Sequence, residues 1–241
     1  METSSMPERK EAGKPMGNDW LEREPEFDSP YYPFRLAVAG NTIAGAEQLP
    51  YVIGRYLMDP ADGNGYIPPS DNRFPRARIK KLVYWDGNLP LNQPLPTDEQ
   101  VRDLVFNPLL PANPPDKERG YRIFLQEFAQ QAQYDAQTRL HIYHGSGTML
   151  ESAKGIYIRQ QIIIKITCNY ALESNTGMTA VSRSYDIAQA VVEAINGVSF
   201  GGVGGMRVTN LNKIDDERVN TGFKIYANID WMADAPNPYF S

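Results

Sequence analysis

The feature that most constrains this chain is an unbroken β-prone run at residues 156–170, Ile-Tyr-Ile-Arg-Gln-Gln-Ile-Ile-Ile-Lys-Ile-Thr-Cys-Asn-Tyr. β-Branched and aromatic side chains suit a pleated, half-buried surface better than a helix. Fully extended, the run reaches roughly 50 Å, against about 17–20 Å for an ordinary strand. It must either bend into two segments or project beyond its own domain.

Its neighbours are legible in the same way. Residues 140–143 read as a strand. A helix is expected over residues 182–196, with Ile187, Ala188, Val191, Val192 and Ile195 as its apolar stripe and Gly197 as its C-terminal cap. Residues 206–208 should form a short strand, and Asp215, Asp216 and Glu217 a solvated loop. The last strand is the clearest element: Phe223, Ile225, Ala227, Ile229 and Trp231 alternate with Lys224, Tyr226, Asn228 and Asp230. One face is thereby buried, and the other is solvated or meets a partner. The order strand, long strand, helix, strand, strand predicts an α+β fold, with an antiparallel or mixed sheet and helices packed on one face.

Three regions follow. Residues 1–35 read as an extended arm, where charges and prolines mix with Trp20, Phe27, Tyr31, Tyr32 and Phe34. Low apolar content predicts disorder in isolation, while exposed aromatics are favoured anchors at interfaces. Residues 36–115 read as an irregular, β-rich and Pro-rich region with one short helix. Within it, residues 36–38 and 51–53 are candidate short elements, and residues 76–85 read as a strand. The helix opens at Thr97 with a capping box to Gln100, and Val101, Leu104 and Val105 share one face. Residues 116–241 form the α+β domain. It begins with a second helix over residues 116–132, where Tyr121, Phe124, Leu125, Phe128, Ala129 and Ala132 fall on one stripe.

Composition narrows function. No stretch approaches the roughly 18 apolar residues that span a bilayer, and the charged, Pro-containing start does not read as a secretory signal. A soluble product made in a cytoplasm is expected. The net charge of −5 argues against nucleic-acid binding as the global function. The single cysteine, Cys168, sits in an apolar run and reads as a buried small hydrophobe. The two histidines, His141 and His144, lie on one strand at an offset that points them to opposite faces, which argues against a metal pair.

Catalytic motifs fare no better. The glycines of residues 201–205 follow a helix and lack the Lys-Ser or Lys-Thr of a phosphate-binding loop. His144, Gly145, Ser146 and Gly147 read as a hairpin turn rather than a nucleophile elbow. The conspicuous charge cluster is Arg73, Arg76, Arg78, Lys80 and Lys81. On a strand Arg76, Arg78 and Lys80 would share one face, open to DNA phosphates or, more in keeping with the chain's acidity, salt-bridged to an acidic neighbour or simply solvated.

Three segments resemble phage tail-terminator and related neck or tail-completion proteins: residues 160–166, residues 184–191, and residues 222–231 (Gly-Phe-Lys-Ile-Tyr-Ala-Asn-Ile-Asp-Trp). The resemblance implies a small α+β domain from a strand pair, a helix and a returning strand. It also implies a homo-oligomeric ring, often a hexamer, that caps the tail tube and joins it to the head connector. The expected partners are therefore further copies of itself, tail-tube and connector proteins and a sheath protein, with DNA passing through the lumen without specific binding and no membrane. The expected location is the virion tail or neck.

The reading is thus a non-enzymatic virion subunit, with no catalytic, cofactor-binding or metal-binding residues. Candidate interface residues are Trp20, Tyr31 and Tyr32 of the arm, the basic trio Arg76, Arg78 and Lys80, and Ile156, Tyr157 and Ile158 of the projecting strand. The alternatives are another tail or baseplate subunit on a similar domain, and a small nucleotide-binding enzyme using the loop near Gly201.

Overall fold

The computed structural model describes residues 47, 49–58, 74–87, 89–97, 100–101, 104–106, 121–127, 136–152, 155–176, 180–200, 203–216 and 219–232. In chain order these form helix α1 (Leu49–Met58), helix α2 (Pro75–Tyr84), strands β1 (Val105–Phe106), β2 (Ile123–Phe124), β3 (Thr138–Ser152) and β4 (Gly155–Asn169), helix α3 (Arg183–Ile195), and strands β5 (Val203–Asp216) and β6 (Asn220–Met232). The strands make one mixed sheet in the order β1-β2-β3-β4-β6-β5. The β1–β2 and β2–β3 pairs are parallel and the rest antiparallel. The expected α+β class with helices on one face is what forms; the arm lies outside the described residues.

Strand alternation explains the layering. Ile162, Ile164, Ile166 and Cys168 of β4 are wholly buried, as are their register neighbours Leu140 and Ile142 on β3 and Ile225 and Ala227 on β6. Against this face pack Leu49, Ile53 and Leu57 of α1, Ile79, Leu82 and Val83 of α2, and Ile187, Val191 and Ile195 of α3, in one continuous core. Two buried polar contacts fix the helices. Arg183, wholly buried at the head of α3, donates to the carbonyls of Leu82 (2.8 and 3.1 Å), Trp85 and Asp86 (3.3 Å), and so closes the C-terminal end of α2. The Glu173 carboxylate accepts from the Ser184 N–H (3.0 Å) and its hydroxyl, and thus caps the N-terminus of α3, where Ser182 makes no side-chain cap.

Several expectations hold at the level of single contacts. The Thr97 hydroxyl accepts from the Gln100 N–H (3.3 Å) and the Gln100 side chain accepts from the Thr97 N–H (2.9 Å), the reciprocal capping box. Gly197 has a φ of 87° just past α3. Cys168 is buried.

Other expectations are corrected. Residues 76–85 are not a strand but fall largely in α2. The alternation of Arg76, Arg78 and Lys80 imitated a period of two, but the apolar Ile79, Leu82 and Val83 recur at offsets of three and four, and Pro75 is preset for a first helical turn. The helix expected over residues 116–132 is absent at residues 121–127. There Ile123 and Phe124 are adjacent and both wholly buried, Ile123 beside Leu140 and Phe124 beside His141. Adjacent residues buried on opposite faces belong to a strand between two layers, not to a helical stripe. The remainder of that stripe lies outside the described residues. Val105 belongs to β1 rather than to the helix after Thr97.

Residues 144–147 are not a turn. They form a register shift within the 15-residue β3, with the glycines placed at the bulge. The short strand expected at residues 206–208 is a 14-residue strand reaching Asp216, so Asp215 and Asp216 are paired in register rather than looped. Polar Thr209, Asn210, Asn212 and Lys213 hid it, because an edge strand has little surface to bury.

Candidate interaction surface

β4 neither bends into two segments nor ends with the core. It pairs with β3 and β6 along nearly its whole length. On the distal side Ile162 is the last β4 residue in the core, with Ile229 of β6, opposite Gln160, two residues further out, and the strands run on past both. Ser146, Gly147, Thr148, Met149 and Arg159 are exposed there, Met149 by 60%. Met149 stands directly opposite Ile158, which places an apolar pair on the distal end of the hairpin. Of the residues singled out from sequence, Tyr157 and Ile158 lie here, half-buried, and the backbone of Ile156 pairs with Glu151.

The basic trio is placed elsewhere. Arg76 is 2% and Lys80 1% exposed, one helical turn apart on α2. Arg76 lies 4.4 Å from the centre of the Tyr56 ring and donates to the Tyr56 carbonyl. Arg78 pairs with Asp186 (3.0 Å) and Glu193 (2.8 Å) of α3. Arg76 and Arg78 therefore tie α2 to its neighbours, and the three cations share no strand face. Trp20, Tyr31 and Tyr32 lie outside the described residues.

The sheet face away from the helices was read from sequence on the final strand alone, as a side that is solvated or meets a partner. Lys165 of β4 stands directly opposite both His141 of β3 and Lys224 of β6. Two residues away come Tyr143, Ile163 and Tyr226 in register. Further toward the distal end Arg159 holds Asp230 through two bonds of 2.7 and 2.9 Å. That pairing keeps the Asp230 carboxyl below its ordinary value. Arg159, Asp230, Asn228, Gly205, Arg207 and Thr209 line a shallow depression of about 190 Å³. Glu127 approaches from the loop after β2, accepting from the Tyr143 hydroxyl (3.4 Å) and lying 3.9 Å from Lys224. Burial raises the Tyr143 phenol far above its ordinary value, and Glu127 adds to the effect. The signal was present in the polar partners of the final strand's alternation.

His141 and His144 point to opposite faces, as their offset requires. His141 stacks on Phe124 at 5.0 Å, and His144 lies 3.1 Å from the Glu47 carbonyl on the helix side. Among the described residues no group of three or more His, Cys, Asp or Glu side chains is placed to hold a metal ion. Among them, too, no helix is long and apolar enough to cross a membrane.

A mixed sheet backed by helices on one face defines an α+β protein. The YomW family model matches residues 77–229, more than half of the chain, and the chain belongs to that family, which is phage-derived. No curated protein matches it.

Proposed function

We propose that the chain is a non-enzymatic structural subunit of a phage tail or neck, assembling with further copies into a ring that caps the tail tube and meets the head connector. The observation that carries this reading is the long β3–β4 hairpin, each strand 15 residues, whose distal end extends beyond the core with the Met149–Ile158 pair on it. A hairpin of that length is costly in ordered backbone unless its end is used, and apolar side chains at a strand end suit a neighbouring subunit. Membership in a phage-derived family and the resemblance of residues 160–166, 184–191 and 222–231 to tail-terminator proteins support the same reading. Tail-tube, connector and sheath proteins are the proposed further neighbours, and DNA would pass through the ring without specific contacts.

The test is assembly. Met149→Asp places a charge at an exposed position that contributes nothing to the core, so the folded monomer should change stability by less than about 1 kcal/mol. Light scattering should then show smaller particles than the wild type at equal concentration. An unchanged particle mass would remove the hairpin end from the interface.

A further inference from the structure

We infer that the distal end of the β3–β4 hairpin docks head-to-tail on a second copy of this chain, at an apolar patch around Tyr185 and Leu211 where α3 meets β5 and β6. The inference rests on the subunit reading above and names the surface that the hairpin end meets.

The first observation is where the exposed apolar side chains lie. Among the described residues six large ones are exposed: Leu89, Met149, Tyr170, Tyr185, Leu211 and Val219. Of these only Met149 is at the distal end, opposite Ile158, whose register neighbour on β6 is Trp231. Two others meet β6 on its helix-covered face. The Tyr185 ring packs edge-on against the Phe223 ring at 4.5 Å and is still 52% exposed. Leu211 stands opposite Ile225 and is 45% exposed. Phe223 and Ile225 are two residues apart on one strand and both buried, so Tyr185 and Leu211 flank one stretch of core. The Val219 carbonyl, just before β6, accepts from the Tyr170 N–H (2.9 Å), which continues the apolar surface toward the end where β4 finishes. Leu89 is tied by its N–H to Asn175, in the connection that leaves β4 at that same end.

The second observation is the separation of the two sets. Trp231, beside Ile158, is six residues along the chain from Ile225 and twelve from Val219, roughly 20 and 40 Å in an extended strand. The β4–β6 pairing is continuous from Tyr157 and Met232 to Asn169 and Asn220, so Met149 cannot reach the patch of its own chain. Contact between two hairpin ends would cover Met149 and leave Tyr170, Tyr185, Leu211 and Val219 in water. A head-to-tail contact covers both sets in every copy. Each molecule then offers its hairpin end to one neighbour and its patch to the other, the kind of contact that makes a ring when the rotation closes. The chemistry also matches. Thioethers make favourable contacts with aromatic rings, and tyrosine is a favoured interface residue.

The experiment uses the full-length chain with single cysteine substitutions and a short bis-maleimide crosslinker, read on a denaturing gel. The wild type is the blank, because Cys168 is buried. Met149→Cys and Leu211→Cys proteins, mixed while dilute and then concentrated, should give a covalent dimer, and each alone should not. One chain carrying both substitutions should give a ladder that ends at ring size. Leu211→Asp should weaken association about tenfold or more in light scattering, the scale of losing one buried anchor. If Met149→Cys crosslinks to itself, the contact is end-to-end, and this inference falls while the hairpin keeps its place in the interface. A wild type that assembles while the mixture gives no dimer overturns the inference and leaves the subunit reading standing. A wild type that stays monomeric at every concentration overturns the subunit reading, and this inference with it.

Discussion

Single side chains decide how the helix layer is held. Arg183 is wholly buried and directs its guanidinium at the carbonyls ending α2. Arg183→Met would fill much of the volume but leave those carbonyls without their donor. A buried acceptor left unpaired costs about 1–3 kcal/mol, and bonds from a charged donor are at the upper end. We expect a loss of about 3 kcal/mol by urea unfolding; a loss below about 1 kcal/mol would show that water or neighbouring groups replace the cap. Cys168 gives a second residue-scale prediction. Burial, together with Glu173 nearby, pushes its thiol up to about 12, and the thiolate is the reactive form. The folded protein should therefore resist a thiol reagent at neutral pH and react when denatured; prompt labelling of the native state would contradict that placement. Asp230 carries a pH signature. Its carboxyl is held low by Arg159, so its contribution to stability is present above the unfolded value of about 3.9 and lost as pH falls through the lower folded value. The pair is partly exposed, so the effect should be about 1 kcal/mol or less. Asp230→Asn should flatten the stability profile in that acidic window, and an unchanged slope there would deny the pair a stabilising role.

At the scale of elements, long strands must approach closely without obstruction. Gly222 lies where β6 passes β4, and a side-chain carbon there would collide with the Ile166 carbonyl. Gly222→Ala should destabilise by about 1–3 kcal/mol, the range for forced overpacking; a neutral thermal midpoint would mean the strands can separate locally. The same elements show what was readable in advance. β6 and α3 announced themselves because each has one buried and one exposed side, a pattern a linear sequence displays directly. β5 did not, for two physical reasons. It lies at the sheet edge, and its outer side is already managed by its own connection: the Met206 amide donates to the Val198 carbonyl, the Gly197 amide to the Met206 carbonyl, and the Val208 amide to the Asn196 side chain. α2 was misread because buried cations such as Arg76 and Lys80 carry no sequence mark that separates them from solvated ones. β2 was misread because two residues hold too little pattern to outweigh a longer helical stripe. The cations facing away from the helices were visible individually, but their convergence from β4, β5 and β6 depends on register, which only the folded sheet supplies.

At the scale of the whole molecule, the described helices cover one sheet face, and the β3–β4 hairpin runs past the last core residues, Ile162 and Ile229. That leaves a hairpin end with the apolar pair Met149 and Ile158. The proposed ring would use that pair, and association through Met149 and Ile158 should not weaken as ionic strength rises, because apolar burial is not screened by salt. The central claim is that this chain works as an assembled subunit. Its most direct test is the mass of the purified full-length protein in solution, by light scattering across a range of concentrations. The account predicts a defined closed oligomer, of ring size, that dissociates on dilution or with Met149→Asp. A strict monomer at every concentration, with or without tail-tube protein, would contradict it.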